Sequence, residues 1–147
     1  MKTIRDFLEN NKKPYKLTYP DGFMKFFINN NKMYVKGYNS KEDITAIFSF
    51  IGECDLIDSC AEILKFEVRI CDYCGCPMNK GYTDDDTDFY NCEECFPKNM
   101  DERYGKGNWR DYKSEDDDCN YKGGYYEYLN NNKWLPEPSY YTDWLYI

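Results

Sequence analysis

Apolar residues recur along this chain at two spacings, and the changes between them mark the elements. In residues 3–10, Ile4, Phe7 and Leu8 lie three and one apart behind Thr3, which predicts a short helix with Thr3 as its cap. Residues 15–19, 23–28 and 32–38 are instead rich in aromatic and β-branched side chains. Pro20-Asp21-Gly22 and Asn29-Asn30-Asn31 separate them with turn residues, so the three segments predict an antiparallel meander. Ser40-Lys41-Glu42-Asp43 reads as a capping box that opens a helix carrying Ile44, Ile47, Phe48 and Ile51 on one face. A second short helix is expected around residues 55–60, followed by a strand over 63–70 that delivers Cys71.

In the second half the signals are shorter. Residues 97–104 predict one or two helical turns and residues 105–119 an exposed polar loop, with Gly105-Lys106-Gly107 and Gly123-Gly124 as turns. Residues 125–129 and 133–135 flank Asn130-Asn131-Asn132, which predicts a late hairpin with the turn chemistry of the first half. The aromatic stretch 140–147 predicts a terminal strand whose rings are expected to serve the core, because a short chain must bury most of its large side chains, with contact anchors for a partner as the other reading of the same rings. The expected class is therefore α+β, an antiparallel β-meander with short helices and an inserted four-cysteine zinc-knuckle subdomain. Its parts are 1–70, 71–96 and 97–147, within one compact unit.

The cysteines change the picture most. Cys71-Asp72-Tyr73-Cys74 and Cys92-Glu93-Glu94-Cys95 are two matched hooks separated by seventeen residues, a spacing suited to closing both around one tetrahedral ion. Cys71, Cys74, Cys92 and Cys95 are the expected metal ligands. Gly75 lets the backbone pass close to the metal. Four thiolates leave no open coordination place, which predicts a structural Zn2+, with iron as the other metal that suits four sulfurs. Cys76, two residues past Cys74, is a candidate to replace one ligand. Cys54, Cys60 and Cys119 are expected as small buried thiols. Residues 1–7 alternate charges and lack the apolar core of a secretory signal, so a reducing, cytoplasmic compartment is expected. No apolar run approaches the roughly twenty residues of a membrane span.

Composition adds exclusions. The chain has no histidine, which removes the imidazole base, the histidine triad and the histidine pH switch. No phosphate-loop, dinucleotide or nucleophile-elbow signature is present, so no enzyme is expected. Aromatic residues make up 19% and supply enough amphipathic surface to fold despite a mean hydropathy of −0.89. Charge is uneven: residues 1–70 hold eleven Lys and Arg against ten Asp and Glu, a net +1, whereas 71–147 hold eight against seventeen, a net −9. Asp84, Asp85 and Asp86, with Glu115, Asp116, Asp117 and Asp118, are the candidate partner-binding carboxylates. Such a field opposes direct nucleic-acid binding and suits a basic, nucleic-acid-binding protein as partner.

Two stretches carry a resemblance. Cys71-Asp-Tyr-Cys74-Gly75-Cys76-Pro77-Met78-Asn79-Lys80-Gly81-Tyr82 with Phe89-Tyr90-Asn91-Cys92-Glu-Glu-Cys95-Phe96, and the tail Tyr140-Tyr141-Thr142-Asp143-Trp144, resemble the small zinc-ribbon-like cysteine-knuckle proteins of phages and mobile elements. Within that group, a metal site, a mixed α/β fold and an acidic surface together resemble zinc-containing anti-CRISPR proteins. The resemblance implies binding to a type II CRISPR effector nuclease in the host bacterial cytoplasm and obstruction of its nucleic-acid engagement, without enzymatic modification. A phage structural or assembly accessory protein and an antirestriction DNA mimic are the alternative roles.

Overall fold

Helix α1 (Ile4–Asn11) begins where Thr3 and Asp6 exchange hydrogen bonds: the Asp6 amide donates to Thr3 Oγ1 at 3.2 Å and the Thr3 amide donates to Asp6 Oδ2 at 2.9 Å. This reciprocal cap satisfies two amides that the first helical turn leaves without partners. The computed structural model describes residues 3–11, 13–50, 55–84, 89–112, 125–137 and 139–146. It is an α+β fold of antiparallel sheets and short helices. The chain divides into two units, Met1–Asn79 with Trp144–Ile147, and Lys80–Asp143. The division falls after Asn79, and Trp144–Ile147 belong with the first unit.

In the first unit, β1 (Tyr15–Tyr19), β2 (Gly22–Asn29), β3 (Lys32–Asn39) and β4 (Ile44–Phe50) form one sheet in sequence order, every pair antiparallel. The β2–β3 turn holds Asn30 at φ 50° and Asn31 at φ 64°, two consecutive left-handed residues that match the twist of a tight hairpin and that asparagine tolerates. The helix expected after residues 40–43 is instead β4. Its side chains alternate, with Ala46 buried and Ile47 65% exposed, and Ser40 Oγ donates to the Asp21 carbonyl instead of capping a helix. Pairing with β3 from Met33 to Asn39 supplies more hydrogen bonds than an isolated helix cap, and β-branched and aromatic residues suit it. Ile51, the last residue of that expected stripe, lies outside the described residues.

Helix α2 (Asp55–Leu64) runs past the expected strand start at residue 63. It stops because Lys65 turns left-handed at φ 59°, letting the Phe66 amide donate to Ala61 O and the Lys65 amide to Glu62 O, the two bonds of a Schellman ending. Asn39, buried in β3, donates from Nδ2 to the Leu64 carbonyl at 2.6 Å. The helix packs closely on the sheet: a Cβ at Gly37 would lie 2.6 Å from Leu64 Cδ1. Met24, Phe26, Met33 and Val35 from the sheet, Ile4 and Leu8 from α1, and Ile57, Cys60 and Leu64 from α2 make the core. Phe66 joins them by stacking on Tyr19, ring centroids 4.1 Å apart. Strands β5 (Arg69–Ile70) and β6 (Pro77–Met78) pair as a small hairpin. The tail returns beside it, with the Trp144 amide donating to Asn79 O at 2.7 Å and the Glu67 amide to Leu145 O at 3.2 Å.

The second unit contains β7 (Lys80–Thr83), β8 (Tyr90–Asn91), α3 (Cys95–Tyr104), β9 (Trp109–Tyr112), β10 (Tyr125–Asn130), β11 (Lys133–Glu137) and β12 (Tyr140–Asp143). One sheet orders β12-β7-β8 and another β11-β10-β9. The second Asn turn repeats the first, with Asn131 at φ 49° and Asn132 at φ 61°. Strand β9 corrects the polar loop expected over 105–119: Trp109 starts it and pairs with Tyr128. Residues 113–124, which include Cys119 and the turn at Gly123-Gly124, lie outside the described residues, as does Cys54. Phe96 and Met100 are fully buried, Phe96 stacking on Tyr82 at 4.0 Å and meeting Trp109 edge-on at 5.8 Å. Trp109 Nε1 donates to Asp101 Oδ1 at 2.7 Å.

Candidate metal centre

Both cysteine hooks start with the same backbone turn. The Gly75 amide donates to the Cys71 carbonyl at 2.9 Å, and the Phe96 amide donates to the Cys92 carbonyl at 3.0 Å, so in each hook the residue after the second cysteine closes back on the first. They then diverge. Gly75 takes φ 80°, a left-handed conformation that suits glycine, and this turns the chain so that the Cys71 amide donates to Cys76 O at 2.9 Å. The result is the β5–β6 hairpin with Cys71, Cys74 and Cys76 in its loop. In the second hook Glu94 is already helical, φ −77° and ψ −36°, and the chain continues as α3 with Cys95 its first residue.

The sulfurs follow from these backbones. The Sγ atoms of Cys71, Cys74, Cys76 and Cys92 all lie within 4.8 Å of one another. A tetrahedron of metal–sulfur bonds of about 2.3 Å has edges of about 3.8 Å, so this group has the donor set and the spacing to hold a metal ion. Three of the expected ligands, Cys71, Cys74 and Cys92, are gathered there with Cys76. Cys95 is not in the group of four; it is buried at the start of α3. What selects Cys76 is the glycine turn, which brings a cysteine two residues past the hook back into its own loop. The sequence signal for it is the short run Cys74-Gly75-Cys76.

Burial is graded across the group. Cys71 and Cys76 are buried, 0% and 5% exposed, while Cys74 and Cys92 are half-buried. None of the six described cysteines is in a disulfide. Cys60 lies elsewhere, in α2 within the apolar core, where burial pushes its thiol up to about 11, the behaviour of an inert buried thiol.

The expected carboxylates are placed less completely. Asp84 is buried, 7% exposed. Asp85, Asp86, Glu115, Asp116, Asp117 and Asp118 lie outside the described residues. Among the described residues no helix is long and apolar enough to cross a membrane. Comparison of the chain with family models, with curated proteins and with solved structures finds no match.

Proposed function

We propose that this chain is a non-enzymatic, zinc-stabilised inhibitor that binds a basic nucleic-acid-binding protein through its acidic second half, the specific partner being a type II CRISPR effector nuclease. The observation that carries the metal part is the gathering of four thiols in a chain without histidine. Soft sulfur donors in a tetrahedral set favour zinc, and iron is the competitor for the same set. When bound, the ion supplies folding energy; Cys71, Cys74, Cys76 and Cys92 hold it and fill its coordination places. The partner part rests on charge: a net −9 over residues 71–147 is complementary to the basic channels that nucleic-acid enzymes present.

Elemental analysis of the purified protein tests the first part, with one zinc per chain expected and loss of metal in Cys76→Ser but not in Cys95→Ser. Pull-down with an effector nuclease, with and without target DNA, tests the second. Association together with protection of target DNA from cleavage is expected, and conversion of Asp85, Asp86, Glu115, Asp116, Asp117 and Asp118 to lysine abolishes both. Absence of association and of protection removes the inhibitor and leaves a metal-stabilised accessory role.

A further inference from the structure

The outer face of the four-stranded sheet carries a charge pattern opposite to that of the chain as a whole. Strand register sets Lys16 opposite Lys25 and Lys25 opposite Lys36, so three ammonium groups stand abreast on three neighbouring strands. Like charges placed directly opposite one another destabilise a sheet. Among the described residues no ion pair relieves them. The flanking rows on the same face, Thr18, Phe23 and Tyr38 on one side and Phe27, Tyr34 and Ser49 on the other, contain no carboxylate. Asp43 accepts from the Tyr38 hydroxyl at 3.2 Å, at the β3–β4 turn.

Those flanking rows are aromatic. Phe23 pairs with Tyr38, and Phe27 pairs with Tyr34, the second pair stacked with centroids 5.1 Å apart and planes 9° from parallel. Lys16 Nζ sits 4.7 Å from the Phe23 ring centre, and Lys25 and Lys36 lie 5.9 and 5.7 Å from the same Phe27 ring. A single lysine stem suffices to shield a ring from water; two cations on one ring add repulsion without adding cover. Phe27 also walls an open groove of about 470 Å³ with Leu8, Glu9, Lys13 and Pro14. The inner face of the same strands holds the core, so the outer rings and lysines are not there to fill it.

We infer that this face binds single-stranded nucleic acid, with Phe23, Phe27, Tyr34 and Tyr38 stacking bases and Lys16, Lys25 and Lys36 neutralising phosphates. A cationic row between two aromatic rows matches the two chemistries of a single strand, an anionic backbone and exposed π-faces. A duplex keeps its bases stacked on each other and does not offer them to a flat sheet. An acidic protein segment would meet the lysines but would leave the paired rings unused. The chain-wide negative charge acts against the encounter at long range, yet salt screens it within about 8 Å, so the local row governs contact.

The test is fluorescence anisotropy with the full chain and labelled oligo(dT) and oligo(U) of about ten nucleotides, between about 50 and 200 mM salt. Binding of either probe is expected, with log affinity falling against log salt at a slope of about −2, the value for three phosphate contacts on a single strand. The triple variant K16Q/K25Q/K36Q flattens the slope, the triple arginine variant keeps it, and Phe27→Leu and Tyr34→Leu each weaken binding about tenfold at unchanged slope. Preference for one probe assigns the sugar. Removing like charges from the half-buried outer face leaves the fold intact, which the melting temperature checks. No anisotropy change at the lowest salt, equal competition by duplex or by polyglutamate, or full affinity in the glutamine variant overturns the inference. None of these variants touches the acidic residues, so this outcome and that of the inhibitor test are read separately.

Discussion

The two units reach stability by different routes. In the first, four strands of five to eight residues lie in one sheet, and a core running from Ile4 to Val68 packs two helices on one of its faces. In the second, β8 has two residues and β7 four, and the described buried cluster is Phe96 and Met100 with rings packed around it. Small cores seldom supply enough apolar burial alone, and metals are a usual supplement. Cys92 follows β8 directly, where the strand is too short to fix itself. The first unit is therefore a product of hydrophobic burial and also carries Cys71, Cys74 and Cys76 in its β5–β6 hairpin, whereas the described part of the second rests on aromatic stacking and contributes Cys92.

Metal removal is the strongest way to break that contrast. Chelation is expected to cost on the order of 10 kcal/mol, with hydrogen exchange accelerating across the β5–β6 hairpin and across β7, β8 and α3 while β1 to β4 keep their protection; uniform loss along the chain would show that the four-stranded sheet does not differ in this way. Next come two matched truncations. Phe66→Ala and Phe96→Ala, at fully buried positions, should each cost about 3–5 kcal/mol. Urea melts followed by fluorescence should report the first as loss of the meander and the second as loss of the packing around Trp109.

Smaller effects sharpen the account of the first unit. Asn39→Ala leaves the Leu64 carbonyl without its buried donor and should cost about 1–3 kcal/mol. Because burial raises the Cys60 thiol from 9.0 to about 11, the folded state holds its proton more tightly than the unfolded one. Stability from this group is fully present below pH 9.0 and declines as pH rises toward about 11. Melting temperatures across that window should fall less in Cys60→Ala, by the equivalent of about 1–2 kcal/mol. The smallest change is in the second unit. Arg110→Ala removes the 2.6 Å bond to Glu127 and the guanidinium lying 4.1 Å from the Trp134 ring centre, and with Arg110 half exposed it should cost under about 1 kcal/mol.

Much of the meander was legible because its turns are written in residues of unusual backbone tolerance. The paired asparagines at 30–31 and 131–132 take positive φ in both halves, and the flanking strands follow from them. Strand β4 was not legible, since Ser40 to Asp43 mimics a helix start and Ile44, Ile47 and Phe48 satisfy helical spacing as readily as strand alternation. Only pairing with β3 decides between them. Strand β9 was hidden because its partner β10 lies beyond a polar stretch. At the metal centre the hooks were visible, but the entry of Cys76 into the gathered group depends on the backbone reversing at Gly75. The lysine row was invisible for a related reason: residues 16, 25 and 36 become neighbours only once the register of three strands is known.

The hydrogen bond from Trp144 to Asn79 places the exit and the re-entry of the chain at one doorway of the first unit. Everything from Lys80 to Asp143 is threaded out and back through it, so that stretch is a cassette whose ends a short linker can join. It also sets an order of events during synthesis: the residues that pair with Phe66 and Glu67 leave the ribosome only after the whole intervening stretch, and the first unit waits for them to complete its own contacts.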